Sequence, residues 1–217
     1  MIRIKICGIT CLAEAKLAEG YGVDAIGLLL GQQHSAADFI TRDVARNICQ
    51  ALSRFIAPVL VTHLEDPHQI LALADAVPCP VIQLHSDLSA SSLKSLRERL
   101  QPRKLIGKVT VEGSDALARA HDIESSVDAI VLDSIDLATD RVGGTGITHD
   151  WSLSAKIVAE SRVPVVLAGG LTPENVAEAI RIVKPCAVDV NSGVEEPDGR
   201  KSEERISRFV AAVRVSS

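Results

Sequence analysis

The most constraining feature of this chain is an alternation that runs along its whole length. Short β-branched aliphatic runs recur, and each is followed by a stretch with helical patterning. The first strand is predicted at Ile2–Cys7, before a helix that Thr10 caps and that runs to about Glu19, where Gly20 and Gly22 stop it. Ala25–Leu30 precedes a helix over Thr41–Leu52, Pro58–Thr62 one over Asp66–Asp75, and Val81–Leu84 one over Ser89–Leu100. Leu105–Thr110 is followed by Ser114–His121, and Ala129–Leu132 by the longest loop and then Trp151–Glu160. Val165–Ala168 leads into a helix that Thr172 caps and Pro173 opens. The last pair is Ala187–Val190 with Glu203–Val213. Strict alternation predicts a parallel sheet with helices outside it. Eight units of about 27 residues each predict closure into a (β/α)8 TIM barrel, one domain over residues 1–217. A doubly wound open sheet has less support, because no G-x-G-x-x-G follows the first strand.

Composition narrows the partners. Hydrophobic residues make up 47% of the chain, yet the aromatics are only Tyr21, Phe39, Phe55, Trp151 and Phe209, so the interior must be aliphatic. A net charge of −5 with so few stacking side chains argues against nucleic acid as a partner. No apolar run reaches the length of a membrane span, and charges break up every candidate signal segment near the N-terminus. Cys7, Cys11, Cys49, Cys79 and Cys186 form no C-x-x-C pair and read as reduced thiols in a cytoplasmic protein. The histidines show no ligand spacing, so no metal is expected.

In a barrel, the chemistry sits where strands end and the following loops begin. That rule selects Cys7, the Gly31–Asp38 loop, His63, Gln83, His85, Asp133, Gly143–Gly146, Gly169, Gly170, Asp189 and Asn191–Gly193. Glycine-bearing segments follow strands six, seven and eight. Backbone N–H groups approach an oxyanion closely where no Cβ intervenes, so three such segments side by side predict a phosphate site. Cys7 is either a small buried hydrophobe or a base or nucleophile whose thiol a helix starting near Thr10 would acidify. Asp133, ending an apolar strand, is a candidate acid or base, and the two groups facing each other across the mouth would make an acid/base pair.

Lys5-Ile6-Cys7-Gly8-Ile9-Thr10, Gln83-Leu84-His85, Leu132-Asp133, Gly143-Gly144-Thr145-Gly146, Leu167 to Val176 and Val188 to Glu195 together resemble the phosphoribosylanthranilate isomerase family of tryptophan biosynthesis. The resemblance covers the whole chain in order. It implies a barrel enzyme that performs an Amadori rearrangement without cofactor, on a phosphorylated small molecule, as a monomer or homodimer. It implies Cys7 as general base and Asp133 as general acid, provided burial keeps Asp133 protonated. It implies phosphate binding by Gly144, Thr145, Gly146, Gly169, Gly170, Ser192 and Gly193, with His85, Asp189 and Arg42 as further substrate contacts. The family usually carries S-P-R after its second strand; here Ala37 takes the arginine position beside Asp38, and Ser86 replaces a usual glycine. Arg42, His34 and His63 are the candidates to replace the arginine. Two alternatives follow: a related barrel isomerase acting on a different phosphoribosyl amine, or a non-catalytic phosphate-ligand binder. The scarcity of aromatics predicts that an aryl substrate rests mainly on aliphatic side chains.

Overall fold

Eight parallel strands hydrogen-bond in chain order, and the last pairs with the first to close a barrel. The structure, a computed structural model, describes residues 1–31, 38–113, 115–134 and 150–216. The strands are β1 (Arg3–Ile6), β2 (Ala25–Leu29), β3 (Ala57–Thr62), β4 (Val81–Leu84), β5 (Lys104–Thr110), β6 (Ala129–Asp133), β7 (Val165–Leu167) and β8 (Ala187–Val190). The helices between and after them are α1 (Leu12–Gly20), α2 (Arg42–Ala51), α3 (Pro67–Ala76), α4 (Ala90–Leu100), α5 (Ala116–Glu124), α6 (Trp151–Glu160), α7 (Val176–Val183) and α8 (Glu203–Val215). Closure leaves no open sheet edge, and it places the site-bearing strand ends around a single mouth.

The period-2 alternation of each strand separates two apolar layers. Ile4, Ile6, Ile26, Leu28, Leu60, Leu105, Val109, Ile130, Leu132 and Val188 point outward into the core shared with the helices. Cys7, Leu29, Val59 and Val61 belong to a smaller inner cluster, against which Ala25, Phe39 and Val81 pack. Polar residues share this inner row. Lys5 lies directly opposite Asp189, and Thr110 opposite Asp133.

Most helices begin where capping chemistry places them. Thr41, Asp66, Ser89, Asp150 and Ser202 each accept a backbone N–H of the first turn. Two expected starts are corrected. Thr10 does not cap α1, which begins at Leu12; its N–H and its hydroxyl both donate to Glu14 Oε2 at 2.8 Å. Buried Glu14 also accepts Lys201 N–H at 3.0 Å, and so ties α1 to the segment before α8. The Thr172 hydroxyl accepts Glu174 N–H, but regular helix starts only at Val176. The chain ends meet at the opposite face from the mouth, where Met1, Ile2 and Ser216 line one cleft with Ala177 and Lys184. Among the described residues, no helix is long and apolar enough to cross a membrane.

Candidate functional site

Cys7 follows β1, and its N–H donates to Val190 O at 2.8 Å, so the thiol is fixed at the seam where the barrel closes. Room for it comes from the neighbouring strand. A Cβ added to Gly27 would lie 2.5 Å from Cys7 Sγ. Two residues before Cys7, Lys5 Nζ reaches Asp189 Oδ2 at 2.5 Å, both side chains buried. Burial works against the Lys5 cation, but Asp189 and then Cys7 outweigh it and hold its pKa above the ordinary value. Lys201 Nζ, fully covered, donates to Asn191 Oδ1 and Glu195 Oε1, each at 2.6 Å.

Burial pushes the Cys7 thiol up to about 11, although Lys5 and Lys201 pull it down. This overturns the expected acidification by a helix start near Thr10. The first turn of α1 lies further along the chain, and desolvation dominates.

Asp133 ends β6 with 6% of its surface exposed. Burial alone would raise its pKa. His85 Nε2 at 3.2 Å, the Ser134 N–H donating at 2.8 Å and the charge of Lys108 outweigh burial and hold the carboxyl below its usual range. The expectation that burial keeps Asp133 protonated is therefore corrected: the resting group is a carboxylate. His85 stacks on His63 with centroids 4.9 Å apart, and Phe39 meets His63 edge-on at 6.3 Å. Phe39, His63 and His85 thus form a row of rings just beyond the ends of β2, β3 and β4.

The loops after β7 and β8 converge. Gly169 and Gly170 have φ of +79° and +67°, backbone that favours glycine. Asn175 Nδ2 donates to Gly170 O, and its Oδ1 accepts Thr172 N–H, both at 2.8 Å. A Cβ at Gly193 would fall 1.9 Å from Leu171 O, so the Ser192–Gly193 turn packs directly on the β7 loop. A Cβ at Gly169 would lie 2.8 Å from Asp133 Oδ1, which places that loop against the carboxylate.

Among the sequence-selected residues, Gly169, Gly170, Ser192 and Gly193 thus lie in two touching loops, while Gly144, Thr145 and Gly146 lie outside the described residues. Ala37 and His34 also lie outside them. Arg42 opens α2, is exposed, and lines a cleft with Gly31, Ile40, Leu64, Gln69 and Leu73, beside the segments that follow β2 and β3. Asp38 Oδ2 accepts Asn191 Nδ2 at 3.0 Å, which brings a second carboxylate to the β8 loop. Sequence reasoning missed Gly27, Lys5, Lys201 and Phe39. Only Gly27 carried a local sign, as a lone glycine within an apolar strand. Among the described residues, no cluster of His, Cys, Asp and Glu has the grouping of a metal site.

Comparisons with known proteins agree along the chain. The family model for N-(5'phosphoribosyl)anthranilate (PRA) isomerase matches residues 4–212. N-(5'-phosphoribosyl)anthranilate isomerase 2 of Methanosarcina mazei is 46% identical over 96% of this chain and 92% of its own length. The isomerase of Haloferax volcanii is 39% identical over 100% of this chain and 95% of its own length. The crystal structure of phosphoribosyl anthranilate isomerase from Thermotoga maritima superposes with a TM-score of 0.87 at 34% identity, covering 99% of this chain and all of that one. A phosphoribosyl anthranilate isomerase in complex with reduced 1-(o-carboxyphenylamino)-1-deoxyribulose 5-phosphate gives 0.84 at 33% identity, with 99% and 100% coverage.

Proposed function

The chain belongs to the N-(5'-phosphoribosyl)anthranilate isomerase family, and from that premise we propose that it converts N-(5-phosphoribosyl)anthranilate into 1-(2-carboxyphenylamino)-1-deoxyribulose 5-phosphate, as a single barrel domain in the cytoplasm. The observation that carries the reading is the pairing, at strand ends around one mouth, of a buried thiol and a buried carboxylate beside two touching glycine loops.

In the proposed reaction, Asp133 protonates the ribose ring oxygen. The C1–O bond breaks as the nitrogen lone pair forms C=N, leaving a protonated Schiff base. Cys7, as thiolate, removes the proton from C2, and the resulting enolamine tautomerises to the amino-ketose. The working pair is therefore thiolate and carboxylic acid, whereas the resting pair is thiol and carboxylate. Both hold one proton between them. Each turnover leaves the resting arrangement, and the site resets by moving one proton back. The thiolate is therefore in place before ring opening, and the cationic Schiff base then stabilises it electrostatically. His85, hydrogen-bonded to Asp133, positions that carboxyl.

Phosphate binding falls to Gly169, Gly170, Ser192 and Gly193, with Gly144, Thr145 and Gly146 completing the site. Buried Asp189 Oδ1 has no partner among the described residues and is suited to accept a ribose hydroxyl. The aryl ring rests on Phe39 and the imidazole of His63. Lys108 lies on the inner row of β5 and, among the described residues, is in no ion pair, unlike Lys5 and Lys201. We assign it the aglycone carboxylate in place of the missing arginine. Assembly as a monomer or a homodimer is decided by sedimentation.

The test is rescue of a tryptophan auxotroph that lacks this isomerase, with Cys7→Ser and Asp133→Asn as inactive controls. Failure of soluble wild-type chain to rescue growth overturns the assignment and leaves a different phosphoribosyl amine, which Asp38 at the β8 loop would favour.

A further inference from the structure

A pair of thiols unconnected with the reaction lies at the other end of the barrel. Cys49, near the end of α2, and Cys79, just before β4, are 30 positions apart, yet their sulfurs lie 3.7 Å apart. Sequence spacing gave no hint of the pair. Both cysteines are free thiols. The two sites differ in access: Cys79 is 2% exposed, whereas Cys49 is half-buried and open to small reagents. Cys79 lies between Pro78 and Pro80, so its backbone has little freedom and its sulfur is presented from a stiff segment. Cys49 sits on a helix and can rotate about χ1. Bond formation requires the sulfurs to close by roughly 1.6 Å to the usual S–S length, a side-chain movement rather than a refolding. The hydrogen bond from Cys79 favours the Cys49 thiolate, while the same contact and burial keep Cys79 protonated. The exposed member is thus the nucleophile and the buried one the resolving thiol.

We propose that Cys49 and Cys79 form an oxidisable dithiol that small-molecule disulfides convert to an internal disulfide. Cys49 thiolate attacks one sulfur of the small disulfide, forms a mixed disulfide and expels one thiolate. Cys79 then attacks Cys49 sulfur, its proton passing to the departing thiolate, and the second small thiol leaves. The two protein thiols are oxidised and one small disulfide is reduced to two thiols, so atoms and electrons balance. The bond would clasp α2 to the entry of β4 around β3 and α3. It lies at the N-terminal ends of the strands, away from Cys7 and Asp133, so it changes stability and leaves turnover alone.

The experiment incubates the purified full chain with oxidised glutathione, blocks remaining thiols with N-ethylmaleimide and maps peptides by mass. The expected result is a cross-linked peptide pair carrying Cys49 and Cys79. It is accompanied by a melting temperature about 5–10 °C higher that dithiothreitol reverses, and by unchanged kcat. Cys49→Ser and Cys79→Ser each lose both the cross-link and the rise, while Cys186→Ser keeps them. A stable glutathione adduct at Cys49 without a cross-link overturns the proposal. So does a cross-link that survives in Cys49→Ser, or no reaction at either residue.

Discussion

Replacing Gly27 with alanine tests the seating of Cys7 without touching a reacting group. The added methyl would lie 2.5 Å from Cys7 Sγ and 3.1 Å from both Cys7 Cα and Lys5 Nζ. Carbon contacts are comfortable only from about 3.5 Å, so the sulfur must retreat by roughly 1 Å or β1 and β2 must part locally. For stability, two effects oppose each other. Overpacking a full interior costs about 1–3 kcal/mol, and removing a strand glycine returns about 0.5–1 kcal/mol. The net loss is about 0–2.5 kcal/mol, a fall in melting temperature of at most about 10 °C, so the variant folds. Catalysis is more sensitive, since a 1 Å misplacement of a positioned group costs about 100-fold. Steady-state kinetics on N-(5-phosphoribosyl)anthranilate should show kcat/KM falling about 100-fold, mostly in kcat, because the phosphate loops are untouched. Gly20→Ala is the control, since a Cβ there meets nothing within 4 Å. A Gly27→Ala enzyme within threefold of wild type would refute the claim that this contact fixes the thiol.

Three further outcomes are expected. The folded Cys7 thiol keeps its proton to about 11 while an unfolded one loses it near 9.0, so the unfolded chain binds fewer protons between those values and stability falls as pH rises through them. That part amounts to about 3 kcal/mol, and urea midpoints at pH 8 and pH 10.5 should fall less for Cys7→Ser than for wild type. His85→Gln removes the main partner that depresses Asp133, so the acid limb of kcat/KM against pH should move to higher pH; an unmoved limb counts against the assigned role. Gly193→Ala drives a methyl into the Leu171 carbonyl, so inhibition by inorganic phosphate should weaken more than about tenfold, and an unchanged inhibition constant would exclude this turn from the phosphate site.

The architecture was legible because alternation is local: each strand and helix announces itself within about a dozen residues, and a barrel is the closed solution for eight such units. The positions of Cys7 and Asp133 at strand ends, and of the glycine turns after β7 and β8, were legible for the same reason, since the end of a strand can be read without knowing its neighbours. What the alternation hides is the contact between strands. Gly27 beside Cys7, and Lys5 opposite Asp189, depend on register between strands that the sequence does not print. The two protonation states were misread for a related cause. Helix proximity and burial are guessable for Cys7 and Asp133, but their balance against His85, Ser134 and the lysines is set by distances of a few ångströms. The start of α1 was misplaced because Thr10 donates to Glu14, whereas Thr172 makes the expected bond to Glu174 N–H but regular helix begins only at Val176.

The seam between β1 and β8 also has a consequence in time. Lys5 and Cys7 are made well before Asp189, the buried partner of Lys5, which is 184 positions beyond Lys5. At about 5–20 residues per second, roughly 10–40 s separate the two. Throughout that interval β1 has an open edge, the Lys5 ammonium stays in water, and the Cys7 thiol, buried at the end, remains an ordinary accessible cysteine. The site does not ripen gradually with chain growth: the buried Lys5–Asp189 pair and the seat of Cys7 arise in the one event that turns an open sheet into a ring.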